Sequence, residues 1–220
     1  MVAHPDDMEY GAASAVARWT DLGKDVRYLL VTRGEAGIAT MSPDVVGPIR
    51  EGEQRRSCQT VGVATVEFLD HPDGLVEEGI DLRRDIAAAI RRHQPEMILS
   101  INHRDSFGGS SWNHADHRAV GRAVLDAVRD AANPWIFPEC GAPWSGVRFA
   151  AFGGSPQATH AVDVTGYLDR GIESLLCHEL YLANLGDAFG DPGEFLRSSA
   201  ESAGASLGVR HAVAFELVIF

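Results

Sequence analysis

Apolar positions along the chain follow two periods in alternation. Residues 26–31 and 97–101 are short, almost unbroken apolar runs, the pattern of strands buried on both faces, and 66–69 is a shorter run of the same kind. Between them the apolar positions recur at helical spacing. Residues 8–22 predict a helix stopped by Gly23, and 49–61 a helix ending at Gly62. Residues 81–93 place Leu82, Ile86, Ala89 and Ile90 on one face ahead of Pro95, and 115–132 run helically up to Asn133-Pro134. With Met1-Val2-Ala3 as a short first strand, the first 130 residues read βαβαβαβα. That order predicts an α/β protein in three layers, helices on both faces of a mostly parallel sheet.

The rest of the chain is less regular. Residues 133–146 are rich in Pro, Gly and Trp and predict a long loop, of the kind that often lies over a site. Strands are expected at 147–152 and 158–164, helices at 167–185 and 192–205, and a last strand at 212–220. No repeat or linker divides the sequence, so one domain over residues 1–220 is expected, a parallel βα core to about 130 and the loop and further elements after it.

In an open parallel sheet the site lies beyond the carboxyl ends of the strands. Five of the nine histidines fall there, with several carboxylates. His4-Pro5-Asp6-Asp7 follows the first strand. In such a turn His4 and Asp7 can reach one point while Asp6 stays free, although Asp6 or Asp7 could equally cap the next helix. His114-Ala115-Asp116-His117 opens a helix, with its two histidines on the same side. Together the motifs offer imidazole, carboxylate and imidazole ligands with an open position, the donor set of a catalytic zinc. Asp6 and Asp116 remain for orienting or acid–base work. The same donors describe a non-haem Fe(II) site, but a free carboxylate beside the metal suits hydrolysis better.

Ala3-His4-Pro5-Asp6-Asp7-Met8-Glu9, Thr32-Arg33-Gly34-Glu35 and His114-Ala115-Asp116-His117 together resemble the LmbE/PIG-L family of metal-dependent N-deacetylases. Arg50 with Glu53, Val61-Gly62-Val63, and Phe68-Leu69 followed by Asp73-Gly74 extend the likeness over about residues 1–130. The resemblance implies a Rossmann-like domain holding one Zn2+, with Fe2+ as another divalent candidate. It implies His4, Asp7 and His117 as ligands, Asp6 as general base toward a zinc-bound water, protonated His114 as acid or oxyanion partner, and Asp116 orienting a histidine. Family substrates are N-acetylated amino sugars. The expected reaction is therefore removal of an N-acetyl group from an amino-sugar-containing small molecule. An amidase acting on a thiol-cofactor conjugate, and a metal-binding relative without catalysis, stand as alternatives. Arg33, Arg50 and Asp73 are candidate substrate contacts, each also readable as a loop ion pair, and Trp112, Trp135 and Trp144 as stacking or lid residues. The sequence departs from the family at Trp112, where relatives carry a tyrosine, and at His178-Glu179-Leu180-Tyr181, where only the histidine of an H-x-S-Q-like stretch is kept.

Composition narrows the partners. There are 19 basic and 31 acidic residues, a net charge of −12, which disfavours nucleic acid and anionic membrane surfaces. The first turn carries two carboxylates where a dinucleotide fold needs glycines, so pyrophosphate would be repelled. Three distant cysteines exclude a thiolate zinc site and a disulfide framework. With no leader-like or membrane-spanning run, a cytoplasmic enzyme is expected, homo-oligomerisation left open.

Overall fold

The expected alternation is realised strand by strand in the computed structural model, which describes residues 1–186 and 190–220. In chain order the elements are α1 (Asp7–Gly11), α2 (Ala13–Asp21), β1 (Arg27–Leu30), α3 (Pro43–Thr60), β2 (Thr65–Phe68), α4 (Ile80–His93) and β3 (Met97–Ile101). A small hairpin follows, β4 (Ser106–Gly108) and β5 (Ser111–Trp112), then α5 (Ala115–Ala132) and a single 3-10 turn in the long loop. The chain continues through β6 (Phe149–Gly153), β7 (His160–Asp163), α6 (Leu168–Leu176), α7 (Glu179–Ala183), α8 (Pro192–Leu207) and β8 (Ala212–Ile219).

Residues 1–3 hold the sheet together. Val2 bridges Leu30, and the amides of Val31 and Thr32 donate to the carbonyls of Val2 and Ala3, 2.9 Å each. On the other side the Met1 amino group donates to Leu99 O at 2.7 Å. This short segment therefore joins the parallel pair β1–β2 to the four strands ordered β3-β6-β8-β7. β3 and β6 are parallel, and β8 runs against both its neighbours, so the sheet is mostly parallel with one reversed strand. Neighbouring residues serve opposite faces, as strand geometry requires. Ala3 and Val31 enter the core against α4 and α5 with Leu82, Ile86, Val120, Val124 and Phe152. Val2 and Leu30 enter the core on the other face with Met8, Val16, Val61, Ile101 and Phe215. That double burial is why the runs read as continuously apolar.

Four local expectations need correction. The helix expected over 8–22 is broken at Ala12, whose backbone (φ −158°, ψ 0°) is not helical. The break lets α1 lie against the end of β6, where a Cβ added to Gly153 would come 2.5 Å from Gly11 O. The helix expected over 167–185 is broken at His178 (φ −86°, ψ 53°) into α6 and α7. α3 starts at Pro43, a turn and a half before the expected position. Its buried positions include Arg50, Glu53, Gln54 and Ser57, a helical stripe that is polar and so carries no hydrophobic signal. The β4–β5 hairpin was hidden in a Gly/Ser-rich loop. All three cysteines are free, and among the described residues no helix is long and apolar enough to cross a membrane.

Gly153 is the contact that seats α1, and with it Asp7, against the sheet. Gly153→Ala is expected to lower the free energy of unfolding by about 1–3 kcal/mol, because backbone rather than a flexible side chain must give way. A denaturant midpoint equal to that of the wild type would contradict this packing.

Candidate metal centre

The chain leaves the first strand at Ala3 and turns sharply through His4-Pro5-Asp6. Asp6 adopts φ +94°, a left-handed backbone uncommon for a residue other than glycine. This bend sends Asp6 to one side and His4 and Asp7 to the other. α5 begins beside them, across the carboxyl edge of the sheet. His4 Nδ1 then lies 3.2 Å from His117 Nε2 and 3.7 Å from Asp7 Oδ1, and His117 Nε2 lies 3.0 Å from Asp7 Oδ1.

Every other polar atom of these three side chains is engaged by the protein. Asp7 Oδ2 accepts from the amides of Ala3 and His4 at 3.0 and 2.9 Å. His4 Nε2 meets Asp116 Oδ2 and Asp73 Oδ1, both at 3.1 Å. Asp116 is fixed in turn by the amides of Gly74 and Val76, at 2.7 and 3.2 Å. His117 Nδ1 meets Asn113 Oδ1 at 3.0 Å, and the Asn113 amide is oriented because its Nδ2 donates to the carbonyls of Asn102 and Arg104. Both imidazoles are thereby set with N–H groups pointing outward and the remaining nitrogens facing Asp7 Oδ1. Such partners on the far side of a ligand are what fix its tautomer in a metal site.

Three acceptor atoms this close require positive charge between them. Burial alone would lower the His4 imidazole, but its hydrogen bonds to Asp116, Asp7 and Asp73 outweigh burial and hold it well above the usual histidine range. Burial would raise Asp7, yet His117 and His4 hold it well below the usual carboxylate range. A proton or a metal cation answers that demand equally. The donor set of two imidazoles and a carboxylate fits a divalent metal such as zinc.

Asp6 is set apart from this trio. Arg50 donates to Asp6 Oδ1 at 3.1 Å and to Pro5 O at 2.6 Å, with a further bond to Gly34 O. The Asp6 amide donates to Gln54 Oε1. Burial pushes the Asp6 carboxyl up to about 6 against the pull of Arg50. Asp6 caps no helix with its side chain, so the capping alternative does not hold for it. His114 does cap α5: its Nδ1 accepts from the Asp116 amide at 3.2 Å. Burial and the neighbouring His4 and His117 lower its pKa, which with the accepting Nδ1 favours the neutral ring with Nε2–H. Nitrogens of His4, His114 and His117 approach within 4.8 Å, so His114 borders the centre.

The three candidate substrate contacts are placed differently. Arg50 is buried behind Asp6, and Asp73 stands behind His4 and accepts from the Ala36 amide at 2.8 Å. Arg33 pairs with Glu51 and Asp70 and donates to Leu69 O, at the edge of a surface cavity of about 320 Å³ that Glu35, Asp44 and His71 also line. His71 is held by Asp85 at 2.9 Å. Trp144 packs inward and donates to Pro95 O, while Trp135 lies exposed. Trp112, 68% exposed, lies over Arg118, and Phe107 of the same hairpin meets His117 edge-on at 6.2 Å.

Several residues around the centre entered the sequence reading only within the resemblance or its departures, with no role assigned. Glu9, wholly buried, accepts from Gln54 Nε2 at 2.8 Å and from Ser57 Oγ, and faces His178 Nε2 at 3.8 Å. Glu53 accepts from the Leu180 amide at 2.6 Å, and the Tyr181 ring lies over the Arg50 guanidinium at 4.3 Å. These contacts join α3 to α7 across more than a hundred residues, beyond any local pattern. Asn113, one helical turn before His117, was the one such residue that spacing could have suggested.

Comparison with known proteins gives one family profile, PIG-L: GlcNAc-PI de-N-acetylase, matching residues 1–128. Over 168 residues the chain is 27% identical to 1D-myo-inositol 2-acetamido-2-deoxy-alpha-D-glucopyranoside deacetylase 2 of Saccharopolyspora erythraea, covering 64% of this chain and 60% of that protein. Over 133 residues it is 32% identical to diacetylchitobiose deacetylase of Thermococcus kodakarensis, covering 60% and 48%. The matches thus span about half to three fifths of these relatives' length. In fold it superposes on N,N'-diacetylchitobiose deacetylase from Pyrococcus horikoshii with a TM-score of 0.89 at 23% identity, over 99% of this chain and 82% of that one.

Removing one of the two carboxylates behind His4 loosens the hold on that ring. Asp116→Ala is expected to weaken binding of a divalent metal by about 10–100-fold, measured by chelator competition. Unchanged affinity would show that Asp116 has no part in orienting His4.

Proposed function

The chain belongs to the PIG-L family, and from that premise we propose that it is a metal-dependent N-deacetylase, a hydrolase that removes an N-acetyl group from an amino-sugar-containing small molecule. The observation that carries this reading is the convergence of His4 Nδ1, Asp7 Oδ1 and His117 Nε2 beside a carboxylate, Asp6, that the trio does not use. Zinc held by those three atoms would supply Lewis acidity, lowering the pKa of a bound water towards ~7 and polarising a carbonyl.

The chain's own residues account for the proton movements. Asp6, ionised at neutral pH and held by Arg50, accepts the proton of the attacking water at its carboxylate. Addition to the acetyl carbonyl builds negative charge on the carbonyl oxygen, and the neutral His114 Nε2–H is the donor that meets it. Asp6 then returns its proton to the departing amine nitrogen, so that acetate and a free amine leave. Asp116 and Asp73 keep His4 oriented throughout. Of the candidate substrate contacts, Arg33 lines the surface cavity beside Glu35 and is assigned to hydroxyl recognition, whereas Arg50 and Asp73 are assigned to holding Asp6 and His4. The net charge of −12 suits an uncharged sugar derivative better than an anionic one.

Metal content and acetate release from N-acetylglucosamine derivatives test the proposal together. Wild-type protein should carry about one zinc per chain, His117→Ala little, and acetate should appear only with the wild type. Asp6→Ala should keep its metal yet lose about 10²–10⁴-fold in turnover. Protein that takes up no metal when zinc is supplied, or an active Asp6→Ala enzyme, would overturn the mechanism.

The pH profile gives a separate check. Only the ionised carboxylate can accept a proton, and burial raises the Asp6 pKa to about 6. Turnover should therefore rise with pH through about 6 and level off above it. A rate that stays flat well below that pH would assign the base elsewhere.

A further inference from the structure

Arg50 is a buried cation with an incomplete set of partners. Its terminal nitrogens reach one carboxylate oxygen and two backbone carbonyls, and its Nε is buried without any acceptor. The carboxylate is Asp6, the residue in the left-handed turn that has no capping bond to steady it. A guanidinium held on one edge is free to tilt about its own plane, and Asp6 would tilt with it. What covers its face is Tyr181, whose ring centroid lies 4.3 Å from the Arg50 carbon.

The start of α7 is built to keep that ring in place. The Leu180 amide donates to the buried Glu53 Oε1 at 2.6 Å, and the fully buried His178 ring sits 3.8 Å from Glu9 Oε2. Glu53 and Arg50 lie one turn apart on the same buried stripe of α3. One helix face thus fixes both the cation and the helix end that carries the ring. At this position an aromatic ring supplies a flat surface that a desolvated guanidinium attracts strongly.

We propose that Tyr181 is a positioning residue for the reaction assigned above: its ring, stacked on Arg50, fixes the guanidinium and through it the Asp6 carboxylate. The inference rests on that reading for its catalytic consequence, but not for the stack itself. The role is assigned to the ring and not to the hydroxyl, which also lies toward Asp6, so Tyr181→Phe should keep the wild-type behaviour and Tyr181→Leu should not.

Two readouts separate the possibilities. The first is the Arg50 Nε–H signal in a ¹H–¹⁵N spectrum, which needs no activity. A ring facing the guanidinium shifts it upfield in the wild type, and Tyr181→Phe should keep the shift while Tyr181→Leu abolishes it. An unshifted wild-type signal would overturn the stack, even if Tyr181→Leu proves unfolded. The second is steady-state deacetylation of an N-acetylglucosamine derivative by zinc-loaded protein. Tyr181→Leu should lose about tenfold or more in kcat with KM and zinc content held, and Tyr181→Phe should restore it. Equal loss in both variants would assign the role to the hydroxyl, and no loss in either would deny it. A wild-type protein with the upfield signal but no deacetylation would overturn the assigned reaction and leave the stack standing.

Discussion

Three acceptor atoms from residues 4, 7 and 117 are held closer together than their own charge allows, and much of the local structure exists to hold them there. The amides of residues 3 and 4 grip one oxygen of Asp7, Asp116 and Asp73 grip the far nitrogen of His4, and Asn113 grips that of His117. Each grip leaves one lone pair facing inward. Mutual repulsion of those lone pairs is relieved only by positive charge, and that demand is the chemical property of the centre. Asp116 shows how far the arrangement reaches. Its two oxygens tie the β2–α4 loop, through the amides of Gly74 and Val76, to the same histidine that α5 faces.

A second arrangement, of opposite character, lies behind Asp6. The polar stripe of α3 places Arg50, Glu53, Gln54 and Ser57 in the interior, where groups of this kind are costly unless paired. Each has a partner on α1, on the turn before it, or on α6 and α7. Glu9 is the meeting point, taking hydrogen bonds from two residues of α3 and facing His178. The left-handed backbone at Asp6 belongs to the same economy of strain: a conformation unfavourable by itself is held by surroundings that over-determine it, as happens at functional sites. Burial at the same turn leaves one carboxyl whose pKa is pushed up to about 6.

Local patterns in the sequence reported one of these arrangements and concealed the other. The meeting of residues 4, 7 and 117 was legible because His4 and Asp7 share a single turn, His114 and His117 a single helix start, and the order of strands and helices sets both motifs at one edge of the sheet. The strands were legible because both faces of the sheet are covered, and α5 was bounded as expected because its buried face is apolar. α3 shows the converse. Its early turns are solvent-exposed at Val45 and Ile49, and the stripe it buries is polar, so hydrophobic periodicity misplaces its beginning. The interruptions at Ala12 and His178 were invisible for a related reason. Each occurs where a backbone or a ring must approach a distant segment, β6 in one case and α1 in the other. Arg50 and Asp73 were noticed as polar residues on site-facing loops, but only their partners reveal that they serve Asp6 and His4.

The distance along the chain between the proposed ligands has a consequence for folding. His4 and His117 are 113 positions apart, and their nitrogens meet at 3.2 Å. An ion bound by both would act as a crosslink closing a very long loop, a contact that the unfolded chain pays heavily in entropy to form and that disappears when the ion leaves. The loop so closed contains three of the parallel strands, β1, β2 and β3, and the helices between them. Occupancy of the centre would then belong as much to the cooperativity of the molecule as to its chemistry, with metal concentration acting as a thermodynamic ligand of the native state.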